Sequence, residues 1–111
     1  MPTESSIKDS IMTALRKEGG FWWRVGSSPY QRSGCPDILG VYQGVLIGIE
    51  VKTPEAFMKK DWGCTANQIQ FMKKMSDNGA AVLIACSVDQ VRVFLAELKL
   101  SLQQPSPSES T

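Results

Sequence analysis

Asp37-Ile38-Leu39-Gly40-Val41-Tyr42-Gln43-Gly44-Val45-Leu46-Ile47-Gly48-Ile49-Glu50-Val51-Lys52 is the stretch whose reading decides the fold. Gln43-Gly44 is its one turn signal and suits a two-residue hairpin turn with glycine second. That turn separates a strand over 37–42 from a strand over 45–52 and fixes their register. Tyr42 then faces Val45, Val41 faces Leu46, Leu39 faces Gly48 and Asp37 faces Glu50. Side chains alternate between the two faces of a strand. Asp37, Leu39 and Val41 therefore share a face with Leu46, Gly48, Glu50 and Lys52. The other face of the second strand is Val45, Ile47, Ile49 and Val51, wholly apolar, which requires burial.

Upstream, residues 4–17 read as a helix. Ile7, Ile11, Ala14 and Leu15 fall at helical spacing, with Lys8, Asp9, Arg16 and Lys17 on the polar side. Thr3 suits the N-cap and Gly19-Gly20 the stop. Glu4 extends the apolar stripe toward one end; an acid in the first turn also suits the helix dipole. Residues 21–25 form a short aromatic and β-branched strand. Residues 26–36 are a polar loop carrying Tyr30 and Arg32, of a length that is either a solvated connection or a functional one.

Downstream, Thr53-Pro54 ends the strand and residues 55–64 form a longer connection with Lys59, Lys60 and Trp62. Residues 65–78 read as a helix with Ile69, Met72 and Met75 as its stripe, Thr65-x-x-Gln68 as a capping box and Asn78-Gly79 as its stop. The apolar run 80–86 suggests a buried strand beside the hairpin, joined by a right-handed crossover. Ser87 caps a last helix with Val88, Val91, Phe94, Leu95 and Leu98 on its apolar side. The order is α-β-β-β-α-β-α, a mixed α/β domain (α+β in its arrangement) with a central mixed sheet flanked by helices. The domain is expected over residues 1–100. The Ser/Pro/Glu-rich end, 101–111, is expected to be a disordered tail.

With 111 residues, the chain has room for one core. Its net charge of +1 does not by itself announce a nucleic-acid partner. The three cysteines, Cys35, Cys64 and Cys86, are widely spaced, so neither a disulfide framework nor a zinc knot is expected. Residues 1–17 carry charges throughout and lack the apolar block of a signal peptide, and no apolar run approaches membrane-spanning length. The expected location is the cytoplasm. There is no histidine. Ser-His and Cys-His catalysis and histidine-metal sites are thereby excluded, and any catalysis falls to carboxylates and lysine.

The hairpin supplies both. Two carboxylates directly opposite in an antiparallel pair have Cβ atoms roughly 5 Å apart and repel. A hard divalent cation relieves this, since Mg²⁺ takes one or two carboxylates together with waters and phosphate oxygens. Lys52, on the same face, can orient or deprotonate an attacking water or neutralise charge developing on a phosphate. Together these amount to phosphodiester hydrolysis. A surface ion-pair patch, with both acids paired to Lys52, would carry the same three residues.

Pro36-Asp37 followed by Ile49-Glu50-Val51-Lys52-Thr53-Pro54 resembles the PD-(D/E)-x-K nuclease superfamily, and within it the chain looks like a stand-alone VRR-NUC domain of the phage and bacterial type. The likeness runs through residues 3–95. It takes in Glu4-Ser5-x-Ile7, Trp23-Arg24-Val25, Ser33-Gly34-x-Pro36-Asp37, Thr65-x-x-Gln68, Ala81-Val82-Leu83-Ile84-Ala85 and Ser87-Val88-Asp89. It implies a restriction-endonuclease-like core with Mg²⁺ or Mn²⁺ as cofactor. Asp37, Glu50 and the Val51 carbonyl would ligate the metal, Lys52 would be the catalytic lysine, and Glu4 would reach the metal from the first helix. Gln68 would touch Lys52 or the nucleic-acid backbone, as well as or instead of capping its helix. The resemblance further implies a homodimer acting on branched DNA, such as a Holliday junction or a flap. Arg24, Arg32, Lys59, Lys60, Lys73 and Lys74 are candidate phosphate contacts, or simply a solvated basic surface. Trp22, Phe57 and Trp62 are candidates for the dimer surface. Two rival readings are a non-catalytic nucleic-acid-binding module on the same fold and a sequence-reading restriction-type nuclease.

Overall fold

The structure is a computed structural model and describes residues 2–26 and 32–104. Tyr30 and residues 105–111 of the expected tail lie outside the described residues. The elements are α1 (Glu4–Glu18), β1 (Phe21–Arg24), β2 (Ile38–Tyr42), β3 (Val45–Val51), α2 (Pro54–Phe57), a 3-10 turn (Lys60–Gly63), α3 (Ala66–Asp77), β4 (Ala81–Ala85) and α4 (Val88–Gln103). They form a four-stranded mixed sheet in the order β1-β2-β3-β4, flanked by helices. The first three strands are antiparallel, and β4 runs parallel to β3.

The hairpin turn behaves as its residues require. Gln43 and Gly44 both have positive φ, 54° and 79°, as in the two-residue turns that match the twist of paired strands. The ladder runs Tyr42 to Val45, Val41 to Leu46, Leu39 to Gly48 and Ile38 to Ile49. One face of β3 is buried as the alternation demands: Ile47, Ile49 and Val51 are inaccessible to solvent. Over them lie Ile7, Ile11 and Leu15 of α1 and Val91 and Leu95 of α4. Val88, Phe94 and Leu98 pack at the margin of this core. Trp22 joins it from β1, its indole N–H donating to the Gly19 carbonyl (2.7 Å). A Cβ at Gly40 would run into the Trp22 ring, so this strand position needs glycine.

The second face is only partly covered. A Cβ on Gly48 would meet Met75 of α3 and Pro36 at 3.0 Å, which puts α3 over the middle of the sheet. Toward β1 the same face is open. Phe21 (69% exposed), Val41 (42%) and Leu46 (43%) form a cross-strand apolar row, with Trp23 beside Phe21.

The three expected caps form: Thr3 accepts from the Ser6 N–H, Ser87 from the Gln90 N–H, and Thr65 and Gln68 make a full capping box. Four details differ from the sequence expectation. The 55–64 connection contains α2, started by Thr53 as N-cap and Pro54 at the first helical position, where proline costs no hydrogen bond. β4 is half-buried except for Ala85, because it is a sheet edge rather than an interior strand. α4 continues through Gln103, past the expected domain end at residue 100, with Leu100 and Leu102 exposed on its last turns. Trp22 is buried, 9% exposed, and is not dimer surface; Phe57 is half-buried and Trp62 is 50% exposed.

Candidate functional site

Asp37 lies one residue ahead of β2, where the ladder gives way to side-chain bonding. Its main-chain carbonyl accepts from the Val25 N–H (2.8 Å). Its Oδ2 accepts from the Val51 N–H (2.8 Å). The ladder stops at Ile38 and Ile49, one step short of the expected pairing of residue 37 with residue 50, and the Asp37 carboxylate holds the ends of the two strands together through Val51 instead. Lys52 follows Val51, its N–H donating to the Ala85 carbonyl (2.9 Å) and tying the end of β3 to β4.

Glu50 projects from the α3 side of β3 and is 2% exposed, the one buried charged residue among the described residues. Its Oε2 accepts from the Gln68 Nε2 (2.8 Å) and lies 3.3 Å from the Lys52 Nζ. Its Oε1 is buried with no hydrogen-bond partner among the described residues. A buried, unpartnered carboxylate oxygen is costly, and the carboxyl group responds in its acidity. Its pKa is raised from 4.5 to about 7, first by burial and then by the negative charge of Asp37, against the opposing pull of Lys52.

Gln68 caps its helix and at the same time reaches Lys52 and Glu50. Its Oε1 accepts from the Thr65 N–H (2.9 Å) and from the Lys52 Nζ (3.1 Å), while its Nε2 holds Glu50. One amide thus fixes the start of α3 and the relative positions of the acid and the lysine.

α1 brings to Asp37 a residue that the sequence did not single out. Glu4 is exposed in the first turn. One turn on, the Lys8 Nζ lies 3.3 Å from the Asp37 Oδ1. Each carboxylate thus has its own ammonium, Lys8 on Asp37 and Lys52 on Glu50. Two half-buried thiols also feel the charge of the pair. Burial raises the Cys35 pKa, with the charges of Glu50 and then Asp37 adding to it. Burial likewise raises Cys64, partly offset by Lys52. Lys8, Cys35 and Cys64 carried no signal in sequence. Lys8 falls on the polar side of an amphipathic helix, and the thiols are isolated.

Among the described residues, no three His, Cys, Asp or Glu side chains are grouped to hold a metal. Two carboxylates still fit a hard cation that keeps water and phosphate oxygens for its other positions. The unpartnered Glu50 Oε1 is the atom such a cation would satisfy. Val51 adjoins the pair through its N–H bond to Asp37.

The six basic candidates divide. Arg24 is paired with Asp9 of α1 (2.6 Å) and Lys73 with Asp77 (2.9 Å). Arg32 and Lys74 line one hollow with Ser33, Asn67 and Phe71. Ser33 is held there by the Asn67 side-chain N–H (3.1 Å). Lys59 and Lys60 are exposed and form no ion pair among the described residues. No helix among the described residues is long and apolar enough to cross a membrane. No family model matches the chain, and no curated protein matches it.

Proposed function

We propose that the chain is a Mg²⁺- or Mn²⁺-dependent endonuclease of the VRR-NUC type, hydrolysing phosphodiester bonds in structured or branched DNA. The observation that carries this reading is the Glu50 carboxylate. It is buried with one oxygen unpartnered, lies within the field of the Asp37 charge and has Lys52 and Gln68 fixed on its other oxygen. A purely structural ion pair has no use for the vacant oxygen or the second acid.

When bound, the cation supplies Lewis acidity at the scissile phosphate and neutralises its charge. The chain's own residues do the rest. The Val51 N–H orients Asp37, and Gln68 orients Glu50, so both acids present fixed oxygens. Lys52 is aimed by the Gln68 Oε1 and can hydrogen-bond an attacking water or a non-bridging phosphate oxygen. Lys8 can pass from Asp37 to the phosphate as substrate enters. Arg32, Lys74, Lys59 and Lys60 are the cations available to the DNA backbone, and exposed pairs such as Arg24–Asp9 exchange readily for phosphate contacts. The uncovered apolar row of Phe21, Trp23, Val41 and Leu46 offers a surface for a second copy, as the homodimer reading requires. The proposed setting is the cytoplasm of a bacterial or phage-infected cell.

The test is cleavage of labelled duplex, flap and four-way-junction DNA with and without Mg²⁺ or Mn²⁺. Wild type should cut only with metal and prefer the branched substrates, while Asp37→Asn and Lys52→Ala should lose activity at least a hundredfold, on the order of one lost transition-state contact. Metal-independent cutting, or variants as active as wild type, would sink the proposal. Binding without cutting favours the non-catalytic module, and cutting of linear duplex at one sequence favours the restriction-type reading.

A further inference from the structure

The connection between Lys52 and Thr65 leaves the candidate site and returns to it. It begins at the lysine and ends at Thr65, whose N–H donates to the same Gln68 oxygen that holds Lys52. Within it, Asp61 (φ 54°, ψ 31°) and Trp62 (φ 56°, ψ 28°) occupy the left-handed region in succession. Non-glycine residues avoid that region, and two in a row persist only where the surroundings enforce them. Here they do. The Trp62 N–H donates to the Lys59 carbonyl, the Cys64 N–H to the Asp61 carbonyl and the Lys59 N–H to the Ala56 carbonyl, each at 3.0 Å. Gly63 is pressed so close to α2 that a Cβ would come within 2.6 Å of the Ala56 oxygen.

This clamped, strained turn keeps an indole half exposed instead of burying it. Lys59 and Lys60 stand immediately before it, exposed and outside the ion pairs of the described residues. A rigid aromatic face beside free cations is the arrangement that stacks a nucleobase while gripping its phosphates. A protein partner fits less well. Protein interfaces deplete lysine and need a broad apolar core, whereas this turn offers only Trp62 and Met58 between charges.

We propose that Trp62 is a stacking platform for an unpaired nucleobase next to the scissile phosphate, with Lys59 and Lys60 holding the adjoining backbone. This inference rests on the nuclease reading and narrows its substrate class to DNA with unstacked nucleotides near the cut.

The test uses the full chain carrying Lys52→Ala, to prevent cutting, and compares it with the same protein bearing Trp62→Ala or Trp62→Phe. Anisotropy is read on a labelled single-stranded flap substrate and on blunt duplex. Loss of one stacked base corresponds to about 5- to 150-fold weaker binding. Trp62→Ala should show that loss on the flap alone, and Trp62→Phe should retain most of the affinity. A second reading does not depend on the alanine variant folding: oligothymidine should quench tryptophan emission in the parent and quench it much less in Trp62→Phe. Flap affinity unchanged by Trp62→Ala, or an equal loss on blunt duplex, overturns the inference. So does a shift from dimer to monomer in light scattering with DNA affinity intact, which would make the turn a contact between copies. Wild-type cleavage is scored separately. Failure to cut, with Trp62-dependent flap binding preserved, removes the nuclease reading and leaves the stacking site standing.

Discussion

Replacing Glu50 with Gln should stabilise the metal-free protein at pH 8 and change it little near pH 4.5. The Glu50 carboxyl is raised from 4.5 to about 7 in the folded protein, with burial the largest cause and the Asp37 charge the next. A folded-state pKa above the unfolded value means that the stabilising contribution is fully present below pH 4.5. It is lost as the pH climbs through about 7. A shift of this size corresponds to about 3 kcal/mol. Gln keeps a carbonyl for Gln68 and Lys52. It carries no charge to bury, so its stability should run flat across the window in which wild type declines. For a domain near this size the difference at pH 8 is a Tm higher by roughly 10–20 °C. The assay is urea or thermal unfolding of both proteins in EDTA from pH 4.5 to 8.5, plotted as their difference. A difference that does not grow with pH, or a wild type that gains on the variant as the pH rises, would refute the burial argument.

Three further outcomes follow from the same contacts. Gln68→Ala leaves the Thr65 N–H, Lys52 and Glu50 each short of a partner and should cost about 2–4 kcal/mol in urea unfolding; an unchanged midpoint would show that water replaces the amide. Lys8→Met removes the cation that occupies Asp37 and should tighten Mn²⁺ binding about fivefold by calorimetry; weaker binding would mean that Lys8 orients Asp37 rather than competing for it. Gly40→Ala drives a methyl into the Trp22 indole and should cost about 1–3 kcal/mol, seen also as a change in the near-ultraviolet dichroism of the tryptophan.

The hairpin was legible because one dipeptide fixed its register, and the alternation of Ile47, Ile49 and Val51 fixed which face went inward. The Asp37, Glu50 and Lys52 grouping followed from that register alone. The helix caps were legible because each depends on a local pattern a few residues long. What escaped depends on how elements cross. Nothing in the spacing of α1 says that Lys8 arrives over Asp37. The edge position of β4 is invisible in its apolar run, which would look the same in the middle of a sheet. Trp22 and Trp23 are adjacent aromatics, and only their opposite faces decide that the first is core and the second half exposed. The left-handed pair Asp61-Trp62 has no sequence signal, since neither residue is the glycine that such a backbone favours.

The adjacent amides of Val51 and Lys52 end β3 on different acceptors, a side-chain carboxylate and a strand carbonyl. Hydrogen exchange at the second therefore follows the docking of β4, a contact with a strand more than thirty residues along the chain. Exchange at the first follows the Asp37 carboxylate itself. Whatever engages that carboxylate, a cation, a proton or a displaced Lys8, will be felt at Val51 before Lys52 registers any opening of the sheet. In an amide spectrum the pair is a probe already built into the backbone, one resonance reading the occupancy of the site and its neighbour the integrity of the fold.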